Sequence, residues 1–190
     1  MTEEKLILST ASAWALGDQF ENTQAQKNAA LREAKIARQD GDLSENSPYQ
    51  AAKEKFRTMG RIQRRLTREM NELISQGHRL VDPLTWVKQE PATEVELGTV
   101  VELEQEGARE TVLVAGARDH HLPANGQIIP IPYCSQLGTA LLRRRPADTF
   151  AANINGHKQC ITVMKVRRPT REEVLDIFPI LGESAGQQRN

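Results

Sequence analysis

Asp40-Gly41-Asp42-Leu43-Ser44-Glu45-Asn46-Ser47-Pro48 is the stretch whose reading decides how this chain is built. It interrupts a long region, from about Ser9 to Met70 and a little beyond, made mainly of good helix formers and holding only one proline. The interrupting residues are turn-formers, and Ser47 followed by Pro48 reads as an N-cap with proline at the first helical position. The chain is therefore expected to reverse here between two long helices.

Working outward from the turn, Tyr49, Phe56, Gln63 and Met70 recur every seven residues, with Ala52, Met59, Leu66 and Leu73 on the adjacent row. That is a heptad seam with one polar position. On the other side the facing series is Leu16, Thr23, Ala30 and Ala37, interleaved with Ala13, Phe20, Lys27 and Ala34. Alanines nearest the turn let the helices approach closely. An arm of about 30 residues is about 45 Å long at 1.5 Å per residue, enough to project well beyond a small domain.

From Ser75 to Thr93 the periodicity fades, and Pro83 and Pro91 mark a connector. Short β-type runs follow at Gly98–Leu103, Glu110–Ala115, Gln127–Ile131 and Gln159–Lys165, with a short helical stretch at Leu137–Arg144. This pattern predicts an α+β module with a small, largely antiparallel sheet. Thr170-x-x-Glu173 is a capping-box pattern, so a last short helix is expected to stop near Pro179, with a mobile polar tail after Gly182. The expected organisation is a hairpin over 1–76, a linker over 77–94, a sheet module over 95–168 and an extension over 169–190.

Composition sets the outer bounds. The 190 residues hold 25 basic and 25 acidic side chains, so any charge effect must be local rather than that of a strongly basic nucleic-acid binder. Cys134 and Cys160 lack paired spacing, which suits a reducing compartment. The acidic start Met1-Thr2-Glu3-Glu4 is unlike a signal peptide, and no apolar run approaches the roughly 18–20 residues that span a bilayer, so a cytoplasmic protein without membrane contact is expected.

At the turn, Gly41 permits a conformation other residues resist, and Asp42 and Glu45 fall close together at its outermost point. Acidic residues favour turns and helix N-termini for local reasons alone. As chemistry, two carboxylates offer hard oxygen ligands to Mg²⁺, but too few to hold an octahedral ion without a second party.

The string Ala37-Arg38-Gln39-Asp40-Gly41-Asp42-Leu43-Ser44-Glu45-Asn46, followed by Tyr49 and Ala51-Ala52-Lys53, resembles the hairpin tip of the GreA/GreB family. Ser135-Gln136-Leu137-Gly138-Thr139-Ala140-Leu141-Leu142 and Asp148 are similar to that family's Ser-Pro-Leu-Gly-x-Ala-Leu-Leu segment and trailing aspartate. The resemblance implies an FKBP-like second module docking on bacterial RNA polymerase through Ser135, Leu137 and Gly138, and a coiled coil that enters the secondary channel. It implies that Asp42 and Glu45 help hold a Mg²⁺ shared with the polymerase and promote cleavage of backtracked nascent RNA, supported by Gly41, Asn46 and Tyr49. The polymerase would be the catalyst and this chain a monomeric stimulator; the alternative is a channel regulator without cleavage activity. An isomerase function, suggested by the FKBP-like module, has few aromatics to build on.

The second helix also carries Lys53, Lys55, Arg57, Arg61, Arg64, Arg65 and Arg68. They read either as a solvated coiled-coil face or as a basic track, centred on Lys53, Arg57, Arg61 and Arg64, for RNA phosphates. Gln136, Arg143 and Pro146-Ala147 depart from the family, which has proline, often glycine, and Val-Gly at these places. Asp119-His120-His121 matches a metal-phosphoesterase tripeptide but lacks that class's other motifs, and His78 and His157 lack ligand spacing.

Overall fold

The computed structural model describes residues 5–39, 47–122 and 127–182. The chain divides into two compact units, one of Ala15–Gly77 and the other of the residues that precede and follow it. The overall class is α+β, as the sequence predicts.

Two long helices, α1 (Thr10–Ala37) and α2 (Ser47–Ser75), form the helical unit. Every residue of the two predicted heptad rows on each helix is buried or half-buried. Lys27 meets Gln63, while Lys55 lies 3.5 Å from Glu33, so rising numbers on one helix face falling numbers on the other and the pair is antiparallel. Ala30, Ala37 and Ala52 are all buried, which fits close approach toward the turn.

The second unit begins with a strand the sequence did not announce. β1 (Ile7–Ser9) pairs in parallel with β2 (Arg79–Val81), so the hairpin is inserted between two neighbouring strands. After β2 comes a 3-10 turn over Pro83–Trp86, capped by the Asp82 carboxylate, which accepts the Leu84 N–H at 2.9 Å. The expected linker therefore carries regular structure, and residues up to Trp14 belong with the sheet unit.

A five-stranded sheet follows, built from β3 (Val100–Gln105), β4 (Ala108–Ala115), β5 (Ile129–Pro132), β6 (Thr149–Ile154) and β7 (His157–Arg167). The order is β5-β4-β3-β7-β6. All pairings are antiparallel except β4 with β5, in keeping with the largely antiparallel sheet expected. β5 reads Ile-Pro-Ile-Pro and lies at the edge, where the missing proline N–H groups are tolerated. Two tight hairpins turn at Glu106-Gly107 and Asn155-Gly156, each with both φ angles positive, as right-twisting strands favour.

Alternation along the central strands feeds two cores. Val101, Leu103, Val112, Val114, Ile161 and Val163 face one side with Leu141 of α3 (Gln136–Leu141). Val100, Leu113 and Ala115 face the other, covered by Trp86 and by Val174, Ile177, Phe178 and Leu181. The first two of those four lie in α4 (Arg171–Ile177), whose Thr170–Glu173 capping box is present as predicted. Phe178 is fully buried and meets Trp86 edge-on at 6.0 Å. A side chain of that size contributes about 2–3 kcal/mol by burial. The terminal extension thus closes one face of the sheet.

Candidate functional site

Asp42, Glu45, Gly41 and Asn46 lie outside the described residues. The flanking ends are described: α1 finishes at Ala37, and α2 starts at Ser47 with Pro48 next, which fits proline's tolerance for a first turn. Tyr49 is half-buried, and the Lys53 ammonium lies over its ring at 5.8 Å. Tyr49 therefore serves the start of the seam, and its role at the tip is an inference from the family.

The basic track falls on one side of α2. Lys53 is half-buried, whereas Arg57, Arg61 and Arg64 are exposed. Glu54 takes up two of these charges, at 3.8 Å from Arg57 and 2.8 Å from Arg61, and Arg61 also donates to Thr58 Oγ1 at 3.2 Å. Arg64 has no ion pair among the described residues. An open groove lined by Lys27, Phe56, Gly60 and the three arginines runs along this face. Exposed pairs of this kind are worth less than about 1 kcal/mol, so a polyanion can displace Glu54 at little cost.

Inside the hairpin is a polar layer. Lys27 Nζ donates to Gln63 Oε1 at 2.7 Å, Gln63 Nε2 donates to Gln24 Oε1, and Lys27 lies over the Phe56 ring at 5.5 Å. Both Lys27 and Gln63 were visible as breaks in the heptad rows. Gln24, one position off the row, was not.

The three expected docking residues each have a local structural role. Ser135 caps α3, its Oγ accepting the Gly138 N–H at 3.0 Å. Gly138 is buried, and a Cβ there would lie 2.1 Å from the Pro132 carbonyl oxygen, so only glycine lets α3 approach β5. Leu137 is half-buried against the adjoining core. Gln136, at the proline position of the family, is exposed and accepts the Asn155 N–H at 2.8 Å, tying the start of α3 to the β6–β7 turn.

The other two departures occupy strained backbone. Arg143 has φ 65° and Ala147 φ 73°, both in the left-handed region where an L side chain costs about 1–2 kcal/mol. Leu141–Arg144 closes as a turn, with the Arg144 N–H on the Leu141 carbonyl at 3.0 Å. Arg143 holds its third position, where a type II turn calls for glycine. The predicted helix to Arg144 stops at Leu141 for this reason.

In the Asp119-His120-His121 tripeptide, Asp119 is a clamp. Asp119 is fully buried, and its carboxylate accepts from the hydroxyls of Ser9 and Ser12 and, at 2.7 Å, from the Gly116 N–H. Ser9 Oγ in turn accepts the Ser12 N–H at 3.0 Å, capping the start of α1. A Cβ on Gly116 would lie 2.8 Å from the Ser9 nitrogen, so glycine is needed for β1 to pass. The signal available in sequence was Ser9-x-x-Ser12 ahead of a long helix; nothing marked its distant acceptor. Among the described residues no group of three or more His, Cys, Asp or Glu side chains is gathered as a metal site.

Comparison with known proteins places this architecture. The family model described as "Transcription elongation factor, N-terminal" matches residues 6–75, the first strand and the whole hairpin. Transcription elongation factor GreA of Treponema pallidum is 30% identical over 137 residues, covering 71% of this chain and 76% of the relative. The chain belongs to the GreA/GreB family. A second GreA/GreB relative, transcription elongation factor GreA of Acidiphilium cryptum, is also 30% identical, over 75% of this chain and 83% of its own length. Among solved structures of the GreA/GreB family, GreA factor homolog 1 of Thermus thermophilus is 20% identical, covering 86% of this chain and 99% of its own, with a TM-score of 0.34. The GreA/GreB factor of Nitrosomonas europaea is 15% identical over 87% of this chain and 99% of its own, with a TM-score of 0.32. Membership of the GreA/GreB family rests on the sequence matches. No helix among the described residues is long and apolar enough to cross a membrane.

Proposed function

We propose that this chain is a transcription elongation factor that binds bacterial RNA polymerase through its secondary channel and stimulates cleavage of the 3′ end of backtracked nascent RNA. The observation that carries the reading is the Asp42-Leu43-Ser44-Glu45 segment joining two antiparallel helices of 28 and 29 residues, in a member of the GreA/GreB family. A hairpin of that length delivers its turn to a buried target, and the target supplies what the turn lacks.

Asp42 and Glu45 would hold a Mg²⁺ shared with the polymerase. Two carboxylates are hard oxygen donors suited to that ion, and too few to retain it alone. When bound, such an ion activates water and stabilises a leaving oxygen in phosphodiester hydrolysis. The chain's own part is to bring two negative charges, on the segment between the helices, to the polymerase. Arg57, Arg61 and Arg64 provide an exposed basic face for RNA phosphates, with Arg64 already without a carboxylate partner among the described residues. The protein is then a monomeric cytoplasmic stimulator, with polymerase as the catalyst.

The test is a cognate polymerase halted in a backtracked complex and given Mg²⁺ with wild-type protein or D42A/E45A. Wild type should shorten the RNA from its 3′ end, and the double variant should bind the polymerase yet leave the RNA near its unstimulated length. Equal cleavage by the two proteins would sink the tip chemistry. Binding by the wild type without any cleavage would instead mark a channel regulator.

A further inference from the structure

We propose that the groove on α2 seats one base of single-stranded RNA over Gly60, between the Phe56 ring and the Arg64 guanidinium, with Arg57 and Arg61 on the adjoining phosphate. The proposal rests on the reading of RNA as what the basic track meets, and it adds to that track a seat for a base.

The first observation is Gly60. It lies in the middle of a 29-residue helix, where glycine gives up more conformational entropy than alanine does. The backbone there does not call for it, since Gly60 is not among the positive-φ residues. Packing does not call for it either. A Cβ on Gly60 would come no closer than 3.8 Å to Arg64 Nη1 and 4.0 Å to Lys27 Cε, both ordinary van der Waals distances. Gly116 and Gly138 are different, because a Cβ there would run into backbone. A helical glycine required by neither conformation nor packing leaves bare backbone for something outside the protein to approach.

The second observation is what borders that gap. Phe56 and Arg64 are four residues before and after Gly60, on the same helix row and about 6 Å to either side of it along the axis. With Lys27, Glu54, Arg57 and Arg61 they line a groove of about 490 Å³, a size that suits a small ligand. Phe56 is half-buried, and the Lys27 ammonium of α1 lies 5.5 Å from its ring centre. Arg64 is exposed and has no ion pair among the described residues, and its guanidinium folds back over the glycine. A phenyl ring and a guanidinium are both flat surfaces on which a nucleobase stacks.

The charges around the gap agree. Arg57 and Arg61 share the groove, and the one carboxylate on its rim, Glu54, holds them only through exposed pairs at 3.8 and 2.8 Å that a phosphate can replace. A track for phosphates alone needs cations but neither an aromatic ring nor a missing side chain. An acidic peptide leaves the flat slot equally unused. Cations, ring and bare backbone together match a nucleotide with its base.

The experiment compares full-length wild type, G60A and F56L for melting temperature and for affinity to three probes: a short oligoadenylate, a base-free ribose-phosphate strand of the same length, and ATP. G60A fills the floor of the slot and suits a helix, so it should melt no lower than wild type. F56L keeps the position apolar and removes the ring. Wild type should bind oligoadenylate about ten-fold more tightly than the base-free strand, the size of one stacked base, and both variants should lose that preference while still binding the base-free strand. Equal affinity of wild type for the two strands would overturn the seat and leave a track for phosphates only. A preference that survives in G60A would overturn it as well, as would a G60A protein that melts lower, which would give the glycine an internal purpose. ATP binding as tightly as oligoadenylate would overturn RNA as the occupant in favour of a free nucleotide. No binding of either strand would remove the basic track along with the seat, and the tip chemistry would still stand or fall by the D42A/E45A comparison.

Discussion

Arg167 holds Glu173 through both guanidinium Nη atoms, at 2.8 and 2.7 Å, joining the end of β7 to the first turn of α4. Hydrogen bonding to Arg167 keeps the Glu173 carboxyl below the usual carboxylate range; burial opposes this, and the Thr170 backbone N–H adds to it. The same hydrogen bond raises the Arg167 guanidinium further, so that group stays charged throughout the ordinary pH range. A carboxyl with a lowered folded pKa contributes stability that is present above its unfolded value, about 4.3, and is lost as pH falls through the folded one. The stability difference between wild type and E173Q should therefore be full at neutral pH and shrink below about pH 4.3. Urea melts at a series of pH values would show it, and a difference that grew on acidification would contradict the assignment.

Asp119 accepts from three buried or half-buried donors, the hydroxyls of Ser9 and Ser12 and the Gly116 N–H, and so ties them together. D119A leaves all three without it and should cost about 3 kcal/mol, whereas S12A should cost about 1 kcal/mol. Equilibrium urea unfolding measures both. A D119A protein within about 0.5 kcal/mol of wild type, the range of an ordinary surface change, would show that the clamp is dispensable.

The Lys27–Gln63–Gln24 layer interrupts a mostly apolar seam. Replacing a desolvated polar pair by packed hydrophobic side chains is often stabilising, so K27L/Q63L should raise hairpin stability by about 1–2 kcal/mol. Polar layers also fix register and association state. The double variant should accordingly begin to self-associate, seen by sedimentation. A more stable variant that stayed strictly monomeric would assign the layer no part in specificity.

The hairpin was legible because its signals are local. Tyr49, Phe56, Gln63 and Met70 repeat at one period, and the residues the period selects are the ones withdrawn from solvent. The capping box at Thr170 and Glu173 was equally plain, since both halves lie within one turn. β1 was hidden because Ile7-Leu8-Ser9 is short and its partner lies across the hairpin at Arg79–Val81. β6, Thr149-Phe-Ala-Ala-Asn-Ile, lacks the β-branched density of β3 and β4 and is held by pairing with β7. Of the candidate site, the acidic pair and basic track could be named from sequence. The structural duties of Ser135 and Gly138 could not, because they depend on how closely α3 passes Pro132.

The insertion of the helices between β1 and β2 bears on the order in which the chain is made. Residues 7–12 leave the ribosome ahead of the hairpin, yet their partners Tyr133 and Asp119 follow more than 100 residues later. The helices, by contrast, need only each other. A hairpin formed during synthesis returns the chain to its starting point, so that Arg79 emerges beside a waiting Ile7 and the entropy of closing that long loop is already spent. The helical hairpin is then also the template on which the sheet unit starts to assemble.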